Sequence, residues 1–202
     1  YIGYEGWMAQ AVTGLIWSVL TVCAFFGCVV MHELGHSFAA RRYGVGVRRI
    51  LLMPIGGMAE FDSLPREPSK ELVITIAGPA VNFVLAALLW WPVNQLPQHI
   101  LFYSAQGLLY QLLWANVVMG VFNLVPVFPM DGGRIFRALL ATKFTYLKAT
   151  HWASLVGKVL SVIGAAVMFF WLDSWLGALL FTFIFMAGDA EYKAVKRREV
   201  ED

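Results

Sequence analysis

The chain has 202 residues, of which 59% are hydrophobic and only 14% charged, and its mean hydropathy is +0.68. Soluble domains carry about 25% charged residues, and here the deficit falls in several long apolar runs. Composition therefore excludes an ordinary soluble domain and points to a polytopic helical membrane protein, while a net charge of +2 gives no ground for a nucleic-acid partner.

The chain starts at Tyr1 rather than at Met, and nothing in Tyr1–Gln10 has the form of a positively charged leader, which reads as a trimmed or incomplete start. Five apolar segments follow, each near the roughly 20 residues that a membrane helix needs. They run from about Met8 to Ala40, Leu72 to Trp91, Phe102 to Val125, Trp152 to Trp171 and Trp175 to Ala187. Only Leu172, Asp173 and Ser174 separate the last two, which makes them an antiparallel hairpin. Cys23 and Cys28, on the first segment, lie roughly 140° apart around a helix and read as small apolar fillers rather than a disulfide.

Between Val45 and Phe61 the pattern changes. Val47 to Met53, followed by Pro54 to Phe61 with Gly56 and Gly57, is too punctuated for a helix and reads as two short strands around a turn. Such backbone at membrane depth must line a protein cavity or pair with another strand. The expected fold class is an all-α polytopic membrane protein of about five spans with a short membrane-associated β-hairpin. Its membrane core covers residues 1–188, and a charged cytoplasmic tail covers 189–202.

Charge orients the spans. Arg41, Arg42, Arg48, Arg49, Arg66 and Lys70 lie between the first and second; Arg134, Arg137, Lys143 and Lys148 lie between the third and fourth; Lys193, Lys196, Arg197 and Arg198 follow the fifth. The connections near Asn94 to Ile100 and near Asp173 hold no Lys or Arg. By the positive-inside bias the basic loops and the C-terminus are cytoplasmic. Lys158, the remaining basic residue, lies close enough to the end of the fourth span to snorkel to that same side.

The residues that carry chemistry begin with His32-Glu33-Leu34-Gly35-His36 near the cytoplasmic end of the first span. Residues four apart share a helix face, so His32 and His36 can offer two imidazoles to one Zn²⁺, and Glu33 lies beside it to take a proton from water. A buried Glu and His in a membrane helix are costly, which favours a functional role. His99 falls on the opposite side, and His151 lies at a basic span boundary, so neither is the expected third ligand. Asp131 is. It sits in Asn123-Leu124-Val125-Pro126-Val127-Phe128-Pro129-Met130-Asp131-Gly132-Gly133-Arg134, at the cytoplasmic end of the third span and at the depth of His36. Pro126 and Pro129 stop the helix, and Gly132 and Gly133 permit a tight turn toward a metal. Two histidines and a carboxylate leave one position open for water, as catalytic zinc requires.

Three asparagines lie inside the spans. Asn82, after Gly78-Pro79, can support an oxyanion or an extended substrate backbone, or equally join two helices by hydrogen bonds. Asn116 and Asn123 share a face of the third span and read mainly as packing, with Asn123 the nearer of the two to the Asp131 turn.

These residues together resemble the site-2 protease family of intramembrane zinc metalloproteases. The resemblance rests on the His-Glu-x-x-His helix, the Gly56-Gly57 hairpin, Gly78-Pro79-x-x-Asn82, and Asn123-x-x-Pro126-x-x-Pro129-x-Asp131-Gly132, in that order and on matching membrane sides. It implies one zinc ion held by His32, His36 and Asp131, with Glu33 as general base. It also implies an integral protein of a prokaryotic plasma membrane, with the active-site end cytoplasmic, cutting transmembrane segments of membrane-anchored regulators such as anti-sigma factors. Prior clipping by another protease is often required in that family. Two departures stand out: relatives usually carry a span before the histidine helix, and many carry nucleotide-sensing CBS modules after the membrane core. The chain has neither, nor a PDZ insertion, so a sixth N-terminal span and a regulatory domain, or a regulatory partner in its place, are expected outside it.

In the mechanism expected, Glu33 accepts the proton of the attacking water and passes it to the leaving amine. A helical substrate first unwinds, and the Leu51 to Phe61 strands, with Gly56 and Gly57, hold it by edge addition. Asn82 and Asn123 are weaker candidates for substrate or oxyanion contact. Two other classes stay open: a membrane Zn²⁺ transporter, which does not need Glu33 at that spacing, and an inactive scaffold that binds membrane helices without cutting them.

Overall fold

The computed structural model describes residues 4–53, 56–61, 66–95 and 103–201, with side chains described over 11–47, 66–95 and 103–200. Among the described residues, six helices and one strand pair occur in chain order: α1 (Tyr4–Arg42), β1 (Val47–Met53), β2 (Gly56–Phe61), α2 (Pro68–Asn94), α3 (Ala105–Asn123), α4 (Asp131–Ala141), α5 (Tyr146–Phe170) and α6 (Trp175–Glu201). By length and composition, four stretches of the described residues can cross a membrane: Ala11–Arg42, Pro68–Asn94, Ala105–Asn123 and Tyr146–Phe170. α6 is apolar from Trp175 to Gly188 and then continues unbroken into the charged 189–201 segment.

Local chemistry sets the ends of these elements. α1 closes at Gly44, whose φ of 76° allows Val45 N–H to reach back to the Ala40 carbonyl at 3.0 Å, a left-handed cap that suits glycine. Pro68 starts α2, where its missing N–H costs nothing. Ser104 caps α3 by accepting from Gly107 N–H at 3.1 Å. β1 and β2 pair antiparallel, with Met53 opposite Gly56 and Leu52 opposite Gly57; the turn residues 54 and 55 lie outside the described residues.

α2 is the centre of the molecule. It packs on α1, α3 and α4, while α5 packs on α4 and α6. Its buried residues Glu71, Ile74, Thr75, Gly78, Pro79, Asn82 and Ala86 recur every three or four positions and so form one stripe. α1 lies against that stripe at close range: a Cβ on Gly35 would stand 2.7 Å from the Ala77 carbonyl oxygen. The polarity of the fold is inverted relative to a soluble protein. Side chains such as Leu88, Trp91, Val118, Phe170 and Leu176 are exposed, whereas Glu71, Asn82, Asn116, Arg137 and Thr150 are fully buried. A bilayer gives apolar groups no reason to hide, so the interior is left to groups that satisfy one another.

The helix α4 was not among the expected elements. The Pro-rich segment ends α3 at Asn123, and after a short loop with a cis Phe128–Pro129 peptide the chain re-enters a helix at Asp131. Gly132 and Gly133 therefore form the first turn of α4 rather than a tight turn of their own. Their use is space: a Cβ on Gly132 would collide with the Leu124 and Val125 carbonyls, and one on Gly133 would stand 2.7 Å from Phe128 N.

Candidate metal centre

α1 presents His32 and His36 on the face that meets α2, and the first residue of α4 brings Asp131 to the same point. The three side chains form one group of potential metal donors. His32 Nε2 and His36 Nε2 are 3.1 Å apart, and Asp131 Oδ2 lies 3.2 and 3.3 Å from them respectively. His32, Glu33, His36 and Asp131 are all buried, none more than 8% exposed.

The outer nitrogens of the two rings explain which atoms face inward. His32 Nδ1–H donates to Asn82 Oδ1 at 2.5 Å, and His36 Nδ1–H donates to the Ile74 carbonyl at 2.8 Å. A neutral imidazole with its proton on Nδ1 keeps a lone pair on Nε2, so both Nε2 atoms point inward as acceptors. Asp131 Oδ2 is buried beside them without a hydrogen-bond partner. With both rings in that tautomer, three electron-pair donors converge on one point, an arrangement that a bound cation would satisfy. The triangle's edges also match the roughly 3.3 Å edge of a tetrahedron with bonds of about 2 Å to nitrogen and carboxylate oxygen, the preference of zinc. The residues present fit the ion.

The support behind the ligands comes from α2 and α3. Asn82 Nδ2 donates to Asn116 Oδ1 at 3.0 Å, and Asn116 Nδ2 donates in turn to the Leu112 carbonyl at 2.8 Å. A relay of two amides therefore fixes the His32 ring from a neighbouring helix. Asn82 thus accepts from His32 through Oδ1 and donates to Asn116 through one hydrogen of Nδ2. Gly78 completes the fit, because a Cβ there would fall on His36 Nε2 itself.

The other expected residues are placed as follows. Asn123 ends α3 and is half-buried. Gly56 and Gly57 begin β2, opposite Met53 and Leu52. The Ile74 carbonyl was missed from sequence, because a backbone acceptor inside a helix carries no residue-type signal; the Gly78-Pro79 pair was its one trace. Pro79 has no N–H to give the carbonyl four residues earlier, which is that of Thr75, so this turn of α2 is already loosened next to Ile74.

Fold and site define a class: apolar helices long enough to cross a membrane around a His₂-carboxylate group that could hold a metal, with a buried glutamate next to it in sequence. The family model described as peptidase family M50 matches residues 20–106 and 92–164, and the chain belongs to that family. A zinc metalloprotease of Methanocaldococcus jannaschii is 46% identical over 149 residues, covering 74% of this chain and 42% of the relative. A Synechocystis protein described as a zinc metalloprotease is 34% identical over 128 residues, covering 63% and 33%. The chain thus spans less than half the length of these relatives. The solved site-2 protease of Methanocaldococcus jannaschii superposes with a TM-score of 0.65 at 35% identity, covering 90% of this chain and 88% of that one. With its apolar helices, the chain is an integral membrane protein.

Proposed function

We propose that this chain is an intramembrane zinc endopeptidase that hydrolyses peptide bonds in or near the transmembrane segments of membrane-anchored regulatory proteins. The observation that carries the reading is the convergence of His32 Nε2, His36 Nε2 and Asp131 Oδ2, with both Nδ1 atoms committed elsewhere. His32, His36 and Asp131 hold the ion, which when bound lowers the pKa of a water toward neutrality and polarises a carbonyl. Glu33, buried and next to His32 on α1, is the residue assigned to accept a proton from the attacking water. The same carboxyl then returns that proton to the leaving amine. Asn82 and Ile74 keep the two rings oriented throughout.

The membrane arrangement proposed has five spans, the fifth being the apolar part of α6, with the basic loops and the C-terminus in the cytoplasm of a prokaryotic cell. Asp131 and the end of α1 then lie toward the cytoplasmic face, the side from which water reaches the site. The substrate is a membrane helix that unwinds before cleavage, and β1 and β2 offer an edge for its extended form. The test is Glu33→Gln in full chain reconstituted with a single-span candidate substrate. Zinc stoichiometry should stay at one while cleavage falls by at least about 100-fold. Cleavage at the native rate would remove Glu33 from the mechanism, and wild-type protein that takes up no zinc would remove the metal reading itself.

A further inference from the structure

A second buried polar cluster lies beside the metal centre and serves none of the roles assigned so far. Glu71, in the first turn of α2, and Arg137, on α4, are 0% and 1% exposed. Arg137 Nε donates to Glu71 Oε1 at 2.9 Å, and its Nη2 donates to the same oxygen. Arg137 Nη1 donates at 2.6 Å to Glu191 on α6, and Tyr146 Oη, at the start of α5, reaches Glu71 Oε1 at 3.4 Å. The guanidinium also stacks over the rings of Phe128 and Tyr146, 5.3 and 5.0 Å from their centroids. Four helices and the loop before Asp131 therefore meet on one side chain.

The cluster is a poor stabiliser on physical grounds. Removing two charges from solvent costs about as much as their attraction returns, and apolar replacements of such pairs are often neutral. What it does supply is position. Glu71 stands one turn before Ile74, whose carbonyl orients His36, on the helix that also orients His32 through Asn82. Arg137 stands on the helix that begins with Asp131, and it covers Phe128, three residues before that aspartate. The pair thus joins the helix that aims the two imidazoles to the helix that presents the carboxylate. Arg's planar fork fixes direction as well as distance, which a lysine cannot do.

Building on the metal centre proposed above, we infer that Arg137 and Glu71 are positioning residues that set the spacing between Asp131 and the two histidines, with Glu191 as the outer brace. The experiment uses the full chain in lipid nanodiscs and measures Zn²⁺ affinity by chelator competition, together with the visible spectrum of the Co²⁺-loaded protein. Glu71→Gln and Arg137→Lys should each weaken Zn²⁺ binding about tenfold and alter the Co²⁺ spectrum. Unchanged affinity and spectrum in folded variants would overturn the inference even if thermal stability fell. Should both substitutions prevent folding, Glu191→Gln decides the matter in the same way: it should weaken Zn²⁺ binding two- to threefold, and no change would overturn the proposal. A wild-type chain that binds no Zn²⁺ would defeat the metal centre instead, a different outcome.

Discussion

Two buried polar clusters lie side by side in this membrane core, and they are opposite in kind. The candidate metal centre is made of inward-facing acceptors, His32 Nε2, His36 Nε2 and Asp131 Oδ2, a set that a cation from outside the chain would satisfy. The Glu71–Arg137–Glu191 cluster contains its own cation, which engages Glu71 Oε1 and Glu191 Oε1 and leaves Glu71 Oε2 without a hydrogen-bond partner among the described residues. In a low-dielectric interior an unpaired polar group is expensive, so each cluster shows what it is for. One is kept open toward a ligand, and the other is spent on holding helices in register.

The sharpest way to break this contrast is to remove a donor from the open cluster. His36→Ala should abolish measurable Zn²⁺ uptake, read as metal content after dialysis, because two donors cannot hold a catalytic ion. Glu33→Gln should leave metal content intact and remove cleavage, as described above. Gly78→Ala comes next: its methyl group would occupy the place of His36 Nε2, so Zn²⁺ affinity should fall by at least about tenfold although no ligand is altered. Asn82→Leu leaves His32 Nδ1–H without an acceptor and should weaken Zn²⁺ binding by roughly 10- to 100-fold, whereas Asn82→Asp, which keeps the acceptor, should recover part of it.

The smallest effect belongs to a third group, outside both clusters. Asp189, just past the apolar part of α6, pairs with Lys158 on α5 and with Lys193 one turn on. Hydrogen bonds from Lys158 first, and from Lys193 second, bring its carboxyl down to about 2. A lowered carboxyl stabilises the fold above its ordinary value near 4 and loses that contribution as pH falls from there toward 2. Asp189→Asn should therefore lower the Tm slightly at pH 7, by no more than about 2 °C, and leave it unchanged near pH 2. A larger shift would mean that the α5–α6 hairpin depends on this pair far more than an exposed ion pair allows.

Much of the site was legible from the chain. Helical spacing gives His32 and His36 a common face whatever the tertiary structure, and the basic residues, read as marking one membrane side, made Asp131 the expected partner, which the structure brings within 3.3 Å of both rings. The apolar runs likewise announce a membrane protein, since a bilayer demands helices of that length. The α4 helix was not legible, because Pro126, Pro129 and two glycines carry the signature of a turn. The glycines serve close packing against the 124–128 backbone instead.

The sequence by itself determined the membrane class, the two imidazoles, the adjacent glutamate and the carboxylate partner, because these follow from periodicity, residue chemistry and charge sidedness. Only the tertiary structure decided which atoms orient them. Asn82 met the His32 ring, Ile74 entered through a backbone carbonyl, and Arg137 met Glu71 across 66 positions of chain. The reason is physical: a hydrogen bond between distant helices depends on how closely and at what rotation they pack. In this protein that is fixed by the absent side chains of Gly35 and Gly78 as much as by the residues that make the bonds.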